Sequence, residues 1–327
     1  MRTFWRRVLA GGAAAALAVP LTARPAQAVI SVPCDPAQLV AAIQTANAAP
    51  AGETLVPASN CTYTLTEAFG DTPNGLPRVV KPITIQAVNV TIARAPDAEP
   101  FRIFEVGEGG NLTLTGVTVT GGHAAGPEPD GDGGGIYVRG GQARLTGGAV
   151  RGNVADRQGG GVWTSGPLTL INTGVAGNAA GSTGGGVLVT GTGTANITGG
   201  SFTGNSAIFG GGLANNGTAV VGSATFSGNV VFGPYASGGA IINFRSLQLT
   251  GANVISNSAL GAGAQGGGLV NSAGTATLTT TTVSGNNATT RPGGIFNNDG
   301  TVTLGGGAVA GNQPSNCSPN PIPGCTG

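Results

Sequence analysis

Charge is what this sequence lacks most. Only 8% of its 327 residues are charged, against about 25% in an ordinary soluble domain. Lysine occurs once, at Lys81, so the chain has no polybasic patch for a nucleic-acid backbone or an anionic membrane. We therefore expect no nucleic-acid partner. Disorder is also excluded, because 40% of the residues are hydrophobic and disordered chains are poor in apolar residues.

Aromatic residues, histidine and cysteine are scarce as well. The chain is 5% aromatic and has one histidine and four cysteines, whereas glycine fills 62 positions. The glycines lack the strict period of three that collagen requires. A long chain rich in Gly, Thr, Asn, Val and Ile is typical of many short strands and turns built as an array.

The first 28 residues have the features of a signal peptide. Arg2, Arg6 and Arg7 precede an apolar stretch over 8–19, and Ala26-Gln27-Ala28 matches a small-residue cleavage site. That stretch is too short to span a bilayer, so we expect no transmembrane span after cleavage. The sequence predicts a secreted, extracellular protein, with attachment to the cell surface as an alternative. Whether export follows the general or the twin-arginine route stays open.

The four cysteines lie two at each end of the chain. An even number of cysteines in an exported protein favours disulfides over free thiols. Three pairings are open, and closeness in sequence favours Cys34 with Cys61 and Cys317 with Cys325. A zinc site is disfavoured, because the chain has no CxxC pair and a single histidine.

A repeat of 24 to 29 residues organises most of the chain. Each unit ends in an asparagine with Val or Phe three residues before it. The eighth residue back is apolar and the ninth is mostly polar, which is the alternation of a strand with one buried face. We expect these asparagines to stack as a structural ladder in which each amide bonds the next. They are Asn153, Asn178, Asn205, Asn229, Asn257, Asn286 and Asn312.

A glycine cluster opens each unit and precedes a second strand. One such unit cannot bury its apolar face alone, so copies must stack, each strand pairing in parallel with its copy one coil away. The pattern predicts an all-β, right-handed parallel β-helix (solenoid) of about nine coils. A second ladder is expected in the last four coils, formed by Asn215, Asn243, Asn271 and Asn297.

Three segments follow the signal peptide over 1–28. Residues 29–75 are expected to form an amino-terminal cap with a short helix over 35–49, because Asp35-Pro36 is a good helix start. The parallel β-helix is expected over 76–313. Residues 314–327 are rich in proline, which cannot continue a ladder, and are expected to form a disulfide-pinned carboxy-terminal cap.

These motifs resemble two groups of known proteins. Residues 238–241 read GGAI, and residues 202–205 and 226–229 read FxxN, motifs similar to those of the chlamydial polymorphic membrane proteins. The amino-terminal stretch from Cys34 through Thr66 resembles the cap of secreted bacterial β-helix proteins of the pectate-lyase-like superfamily. The resemblance implies a right-handed β-helix. It implies no single activity, since the superfamily includes lyases, hydrolases, epimerases and adhesins.

The resemblance implies that an enzyme of this kind would work with carboxylates and arginines on the β-helix surface. Over 159–327 the only charged residues are Arg245, Arg291 and Asp299, too few for acid–base chemistry. Only the early coils, around His123 and Arg157, offer more. There Glu128, Asp130 and Asp132 alternate in one loop and could share a calcium ion. The alternative is a solvated turn, and no other cofactor is expected.

An apolar residue stands second in the strand after each glycine cluster. Adjacent residues of a regular strand face opposite sides, so either this row or the row before it should point outward, and these residues predict an apolar stripe in which Tyr137, Trp163 and Phe296 could stack on a ligand. The alternative is that turns cover the stripe or that the strand bends there.

Three functions fit these observations to different degrees. The favoured one is a secreted or cell-surface-associated binding or adhesion protein without catalytic activity, a monomer with a cell-surface glycan or protein as partner. The alternative is a carbohydrate-active enzyme, a polysaccharide lyase or hydrolase, with its site on the early coils. Ice binding is disfavoured, because the threonine rows do not stay in register.

Overall fold

The computed structural model of the protein describes residues 28–318 and 322–326. Apart from Ala28, the predicted signal peptide lies outside the described residues. The described part contains one helix and 33 short strands, which wind into a parallel β-solenoid of about ten turns. This confirms the predicted all-β solenoid with a short helix near the amino terminus.

The helix, α1, spans Pro36–Ala48. The strands, in chain order, are β1 (Ala28–Val32), β2 (Glu53–Pro57), β3 (Thr62–Leu65), β4 (Pro82–Arg94), β5 (Phe104–Val106), β6 (Asn111–Thr120), β7 (His123–Ala124), β8 (Ile136–Val138), β9 (Gln142–Thr146), β10 (Ala149–Arg151), β11 (Val154–Ala155), β12 (Val162–Thr164), β13 (Pro167–Ile171), β14 (Gly174–Ala176), β15 (Ala179–Ala180), β16 (Val187–Val189), β17 (Thr194–Thr198), β18 (Ser201–Thr203), β19 (Ser206–Ala207), β20 (Leu213–Asn215), β21 (Thr218–Gly222), β22 (Thr225–Ser227), β23 (Val230–Phe232), β24 (Ile241–Asn243), β25 (Ser246–Thr250), β26 (Asn253–Ile255), β27 (Ser258–Leu260), β28 (Leu269–Ser272), β29 (Thr275–Ser284), β30 (Asn287–Ala288), β31 (Ile295–Asn298), β32 (Thr301–Ala310) and β33 (Cys317–Ser318).

The strands form three parallel sheets. Sheet B has seven strands (β7, β11, β15, β19, β23, β27, β30), sheet C has nine (β5, β8, β12, β16, β20, β24, β28, β31, β33), and sheet A holds the other seventeen. A typical turn runs from one strand of sheet C through two strands of sheet A to one short strand of sheet B, and a loop then leads back to sheet C.

Equivalent residues of successive repeats lie opposite one another. Val150 pairs with Val119 on one side and with Val175 on the other. Phe202 pairs with Phe226 one turn later, and their rings stack with centroids 4.5 Å apart. Because every turn adds the same apolar positions to the interior, one continuous core runs from Val32 to the last turns.

The amino-terminal cap is built around α1. The Asp35 side chain accepts a hydrogen bond from the Ala37 amide at 2.8 Å, and Pro36 starts the helix, as N-cap and N1 residues do. Leu39 and Ile43 are fully buried against the first strands. The Cys34–Cys61 disulfide is present, which confirms the favoured pairing at this end of the chain.

The solenoid begins earlier than the repeat indicates. The β-helix was expected over 76–313, yet Leu55 of β2 already pairs with Ile85, and Tyr63 of β3 pairs with Ile92. The Tyr63 hydroxyl donates to the Val32 carbonyl at 3.0 Å. The cap segment therefore adds a turn, which accounts for about ten turns instead of nine.

The carboxy-terminal cap closes the core at the other end. Ile322 is buried, and the Cys317–Cys325 disulfide joins β33 to the described end of the chain, as predicted. Asn316 accepts a hydrogen bond from the Asn312 amide at 3.0 Å and donates to the Thr326 carbonyl at 2.9 Å. The cap is thus hydrogen-bonded to the last rung of the interior.

No helix in the described ranges is long and apolar enough to cross a membrane.

Candidate functional site

The repeated asparagines form a buried column at the corner between sheets A and B. The Asn153 amide donates to Oδ1 of Asn178 at 3.0 Å, and each later amide donates to the next Oδ1 in the same direction, as far as Asn316. Asn316 belongs to this ladder, although the repeat does not mark it. These amides use their hydrogen bonds on each other and on the backbone, so their role is structural.

The second column lies at the end of the sheet C strands. Asn215 donates to Oδ1 of Asn243 at 2.7 Å, Asn243 to Asn271 at 2.7 Å, and Asn271 to Asn297 at 2.9 Å. The predicted second ladder is therefore present, and it runs along the carboxyl ends of four sheet C strands.

The second residue of each sheet C strand forms one row along the solenoid. The row runs Glu105, Tyr137, Trp163, Leu188, Ala214, Ile242, Val270, Phe296 and Ser318. It faces outward, apart from the main core, and yet most of its members are buried. The loop that leads from sheet B into each sheet C strand covers this row.

Glycine allows that close cover. Gly159 has φ +66°, and a Cβ there would lie 2.7 Å from the Cβ of Trp163. Gly133 has the same geometry against Tyr137. Only glycine adopts this conformation without strain and leaves room for the covered side chain. Of the two alternatives left by the sequence, the turns do cover the stripe.

The three aromatic residues proposed as ligand contacts are therefore differently placed. Tyr137 and Phe296 are 3% and 4% exposed, whereas Trp163 is half-buried. The Tyr137 and Trp163 rings pack with centroids 4.6 Å apart, and the Arg291 guanidinium lies 5.2 Å from the Phe296 ring centroid. Tyr137 and Phe296 are thus buried beneath the outer surface of sheet C, and of the three only Trp163 is partly exposed to solvent.

A cleft opens above the middle of this row. It has a volume of about 290 Å³ and is lined by Gln158, Thr183, Phe209, Asn216 and Phe244. Gln158, Thr183 and Phe209 lie in successive turns, are joined by isolated β-bridges, and form one wall. Asn216 and Phe244 follow their sheet C strands and form the other wall. Phe209 packs against the covered row, of which Ala214 has the smallest side chain.

One polar atom of the cleft has no partner. Oδ1 of Asn216 is buried and accepts no hydrogen bond from any described residue. A buried acceptor without a donor costs roughly 1–3 kcal/mol. Phe209 is half-buried and Phe244 is 42% exposed, so the cleft combines two accessible rings with an acceptor that lacks a donor.

A charged cluster lies at the amino-terminal end of the same face. Arg102 is 1% exposed and donates to Oδ1 of Asn74 at 3.1 Å and to the Pro129 and Asp130 carbonyls at 2.9 and 2.7 Å. Its guanidinium lies 4.7 Å from the Tyr137 ring centroid. Burial lowers the pKa of Arg102 below its ordinary value. These bonds tie the 129–130 segment to the solenoid.

Glu105 completes this cluster. Its Oε1 accepts from Nε of Arg78 at 2.7 Å, and its Oε2 accepts from Nδ2 of Asn74 at 2.7 Å. Both carboxylate oxygens are thus engaged, and Glu105 is itself buried. The sequence singled out none of Asn74, Arg102 and Glu105, because they precede the regular repeat and carry no periodic signal.

The loop proposed to bind calcium is held by an arginine. Nη2 of Arg157 donates to Oε2 of Glu128 at 2.9 Å, and its Nε lies 3.6 Å from Oδ1 of Asp132. Burial raises the pKa of the Asp132 carboxyl, and Arg157 opposes that shift. Within 28–318 and 322–326, no three His, Cys, Asp or Glu side chains are placed to hold a metal ion. The two alternatives for Glu128, Asp130 and Asp132, a calcium site and a solvated turn, both stay predictions.

His123 has an acidic partner. Its Nε2 lies 2.9 Å from Oδ1 of Asp156, whose other oxygen accepts from the Gly126 amide at 3.2 Å. The hydrogen bond with His123 lowers the pKa of Asp156. This pair anchors the start of the same loop on the sheet B side, outside the cleft.

Comparison with known proteins adds little to this geometry. No family model and no curated protein matches the chain. A similar solved structure is the crystal structure of alginate lyase from Paenibacillus sp. str. FPU-7, with a TM-score of 0.45 and 14% sequence identity, over 87% of this chain and 97% of that one. At this level of similarity, the activity of that enzyme is not transferred to this chain. The resemblance to the chlamydial proteins rests on the motifs alone.

Proposed function

We propose that this protein is an extracellular polysaccharide-binding β-helix protein that holds its ligand along the outer face of sheet C. The observation that carries the proposal is the cleft of about 290 Å³ between Phe209 and Phe244, whose other lining residues, Gln158, Thr183 and Asn216, are polar and uncharged.

The chemistry of the cleft suits a sugar. The faces of aromatic rings pack on the C–H surface of a pyranose, and amide and hydroxyl side chains exchange hydrogen bonds with its hydroxyl groups. Gln158 and Thr183 provide such groups beside Asn216. A cleft with apolar walls and a few convergent polar groups is the usual form of a small-ligand site.

The covalent structure agrees with an extracellular location. Both disulfides close within the described chain, and it has no free cysteine, as is usual for proteins of oxidising compartments. Cell-surface glycans and matrix polysaccharides are available there. Adhesion to a cell surface would be one use of the same face.

A glycan array followed by calorimetry on the best hits tests the proposal. Phe209→Ala and Phe244→Ala should each weaken binding at least tenfold, because each removes one wall of the cleft. The matched control is Phe232→Ala, since Phe232 is exposed on sheet B, away from the cleft. If no glycan binds the parent protein, or if the control weakens binding equally, the proposal is wrong.

A carbohydrate-active enzyme is the second candidate. It is favoured by one observation: the described charged side chains concentrate before residue 159, beside the same face, and among them burial raises the pKa of Asp132. Perturbed carboxyl groups cluster at catalytic sites. Parent protein incubated with each bound polysaccharide should then release new chain ends. Asp132→Asn should abolish that release and leave binding unchanged, and a parent that cleaves none of them would exclude this candidate.

A further inference from the structure

We infer that the cleft between Phe209 and Phe244 accepts an uncharged sugar unit, not a uronate or a sulfated sugar. The inference rests on the proposed function and specifies the substrate class of the same site. Its starting point is the chain itself: from Gln158 to Phe244 the sequence contains no Asp, Glu, Lys, Arg or His. The cleft belongs entirely to this segment, because all five lining residues lie within it.

Desolvation is the first argument. A carboxylate or sulfate that enters the cleft gives up water, and none of the five lining residues is a cation that could replace that water. Burying an unpaired charge is far more costly than burying a hydrogen-bonded hydroxyl group. The walls therefore select against a charged unit.

Hydrogen bonding is the second argument. The polar side chains of the lining are those of Gln158, Thr183 and Asn216, and none of them is charged. Sugar hydroxyl groups both donate to and accept from amide and hydroxyl groups, whereas an ionised carboxylate only accepts. The lining therefore suits hydroxyl groups better than a carboxylate.

The two arginines that flank the cleft residues in the chain do not change this balance. Arg245 directly follows Phe244, but it is not part of the lining, and its Nη1 donates to the Gly191 carbonyl outside the cleft. Arg157 directly precedes Gln158, but its guanidinium is paired with Glu128 at 2.9 Å and lies 3.6 Å from Oδ1 of Asp132, which bridges Gln158 one turn earlier.

The experiment compares oligosaccharides of equal length with and without charge. Cello-, xylo- and manno-oligosaccharides form the neutral set, and oligogalacturonates and oligomannuronates form the anionic set, with affinity measured by calorimetry at low and high salt. Neutral ligands should bind at least tenfold more tightly, and their affinity should not change with salt.

Variants locate that preference in the cleft. Asn216→Leu should weaken neutral binding at least tenfold. Asn298→Leu is its control, because Asn298 holds the same place after its own strand, is exposed, and lies outside the cleft. Arg245→Gln should leave neutral binding unchanged.

The outcomes separate the two proposals. If only anionic ligands bind, and Arg245→Gln removes that binding, the inference is overturned and the proposed function stands. If Asn216→Leu and Asn298→Leu both leave neutral binding intact, the cleft is not the site. If neither set nor any other glycan binds, the proposed function itself fails.

Discussion

The side-chain amide of Asn229 donates to Oδ1 of Asn257 at 2.8 Å and to the Phe202 carbonyl at 2.9 Å, and its own Oδ1 accepts from the amide of Asn205 at 2.9 Å. One side chain thus joins three successive turns of the solenoid. All of these groups are buried, so no water is at hand to replace a missing partner.

Asn229→Ala should therefore destabilise the protein by at least about 2 kcal/mol, since each buried group left without a partner costs roughly 1–3 kcal/mol. Urea denaturation of the parent and variant measures the difference. Asn298→Ala, at an exposed asparagine, should change stability by less than about 0.5 kcal/mol. Equal midpoints for Asn229→Ala and the parent would contradict a stabilising role for the ladder.

The glycines that cover the outward row should be irreplaceable. Gly159→Ala combines a left-handed backbone with a methyl group 2.7 Å from the Trp163 Cβ. Gly177→Ala brings the same backbone strain, at φ +60°, but meets no atom within 4 Å. Gly222→Ala meets neither problem.

We expect the loss of stability to fall in the order Gly159→Ala, Gly177→Ala, Gly222→Ala. Gly177→Ala should lower the free energy of unfolding by about 1–2 kcal/mol, the cost of a left-handed alanine. Gly159→Ala should lower it clearly more, and Gly222→Ala should leave it almost unchanged. Thermal denaturation of the three proteins gives the order. If Gly159→Ala and Gly177→Ala were equal, the outward row would not be packed against the turn.

The sequence predicts the contacts between residues that recur at the repeat interval, but it does not predict the contacts that fall outside this interval. The ladder asparagines and the inward apolar residues recur at one fixed interval, so their stacking follows from the repeat. The cover over Tyr137 does not, because alternation along a strand shows only that its side chain faces outward. It is the positive φ of Gly133 that folds the preceding backbone over the ring.

The buried Arg102 was beyond prediction for a related reason. Its partner Asn74 lies 28 residues before it, and the Asp130 carbonyl lies 28 residues after it. Neither belongs to the regular repeat. A single arginine among polar neighbours is more often a solvated surface residue, and only the three-dimensional arrangement shows that three turns enclose it.

The two disulfides should contribute unequally. Cys34–Cys61 closes a loop of 27 residues and Cys317–Cys325 a loop of 8. The chain-entropy model gives about 3.5 kcal/mol for the first and about 2.5 kcal/mol for the second. The double serine variant of each pair, compared by urea denaturation, should show the larger loss at the amino-terminal end. The reverse order would mean that the carboxy-terminal cap holds the solenoid more firmly than α1 does.

Asp132 should give the protein a distinct pH dependence. Burial raises the pKa of this carboxyl, so the folded state binds its proton more tightly than the unfolded state does. Its contribution to stability is complete below the unfolded pKa of about 3.9 and is lost as pH rises through the folded value.

The Asp132→Asn variant carries no such charge. It should therefore gain stability relative to the parent as pH rises above the unfolded pKa of about 3.9. The Asp299→Asn variant, at an exposed aspartate, should show no comparable trend. Urea denaturation at several pH values measures both differences. A stability difference between the parent and Asp132→Asn that stays constant with pH would contradict the proposed burial of the charge.

Calcium should leave the stability of the protein unchanged. The sequence offered Glu128, Asp130 and Asp132 as a candidate site, but the Glu128 carboxylate is paired with Arg157 at 2.9 Å and the Asp132 side chain is buried. A cation would have to displace the guanidinium before three carboxylates could converge. Differential scanning calorimetry of the parent in excess calcium and in chelator should give equal midpoints. Calcium at a hundredfold excess over its Kd would add about 2.7 kcal/mol to the stability. A midpoint that is several degrees higher in calcium, and a loss of that increase when Glu128, Asp130 and Asp132 are all replaced by serine, would show that the loop rearranges around the ion.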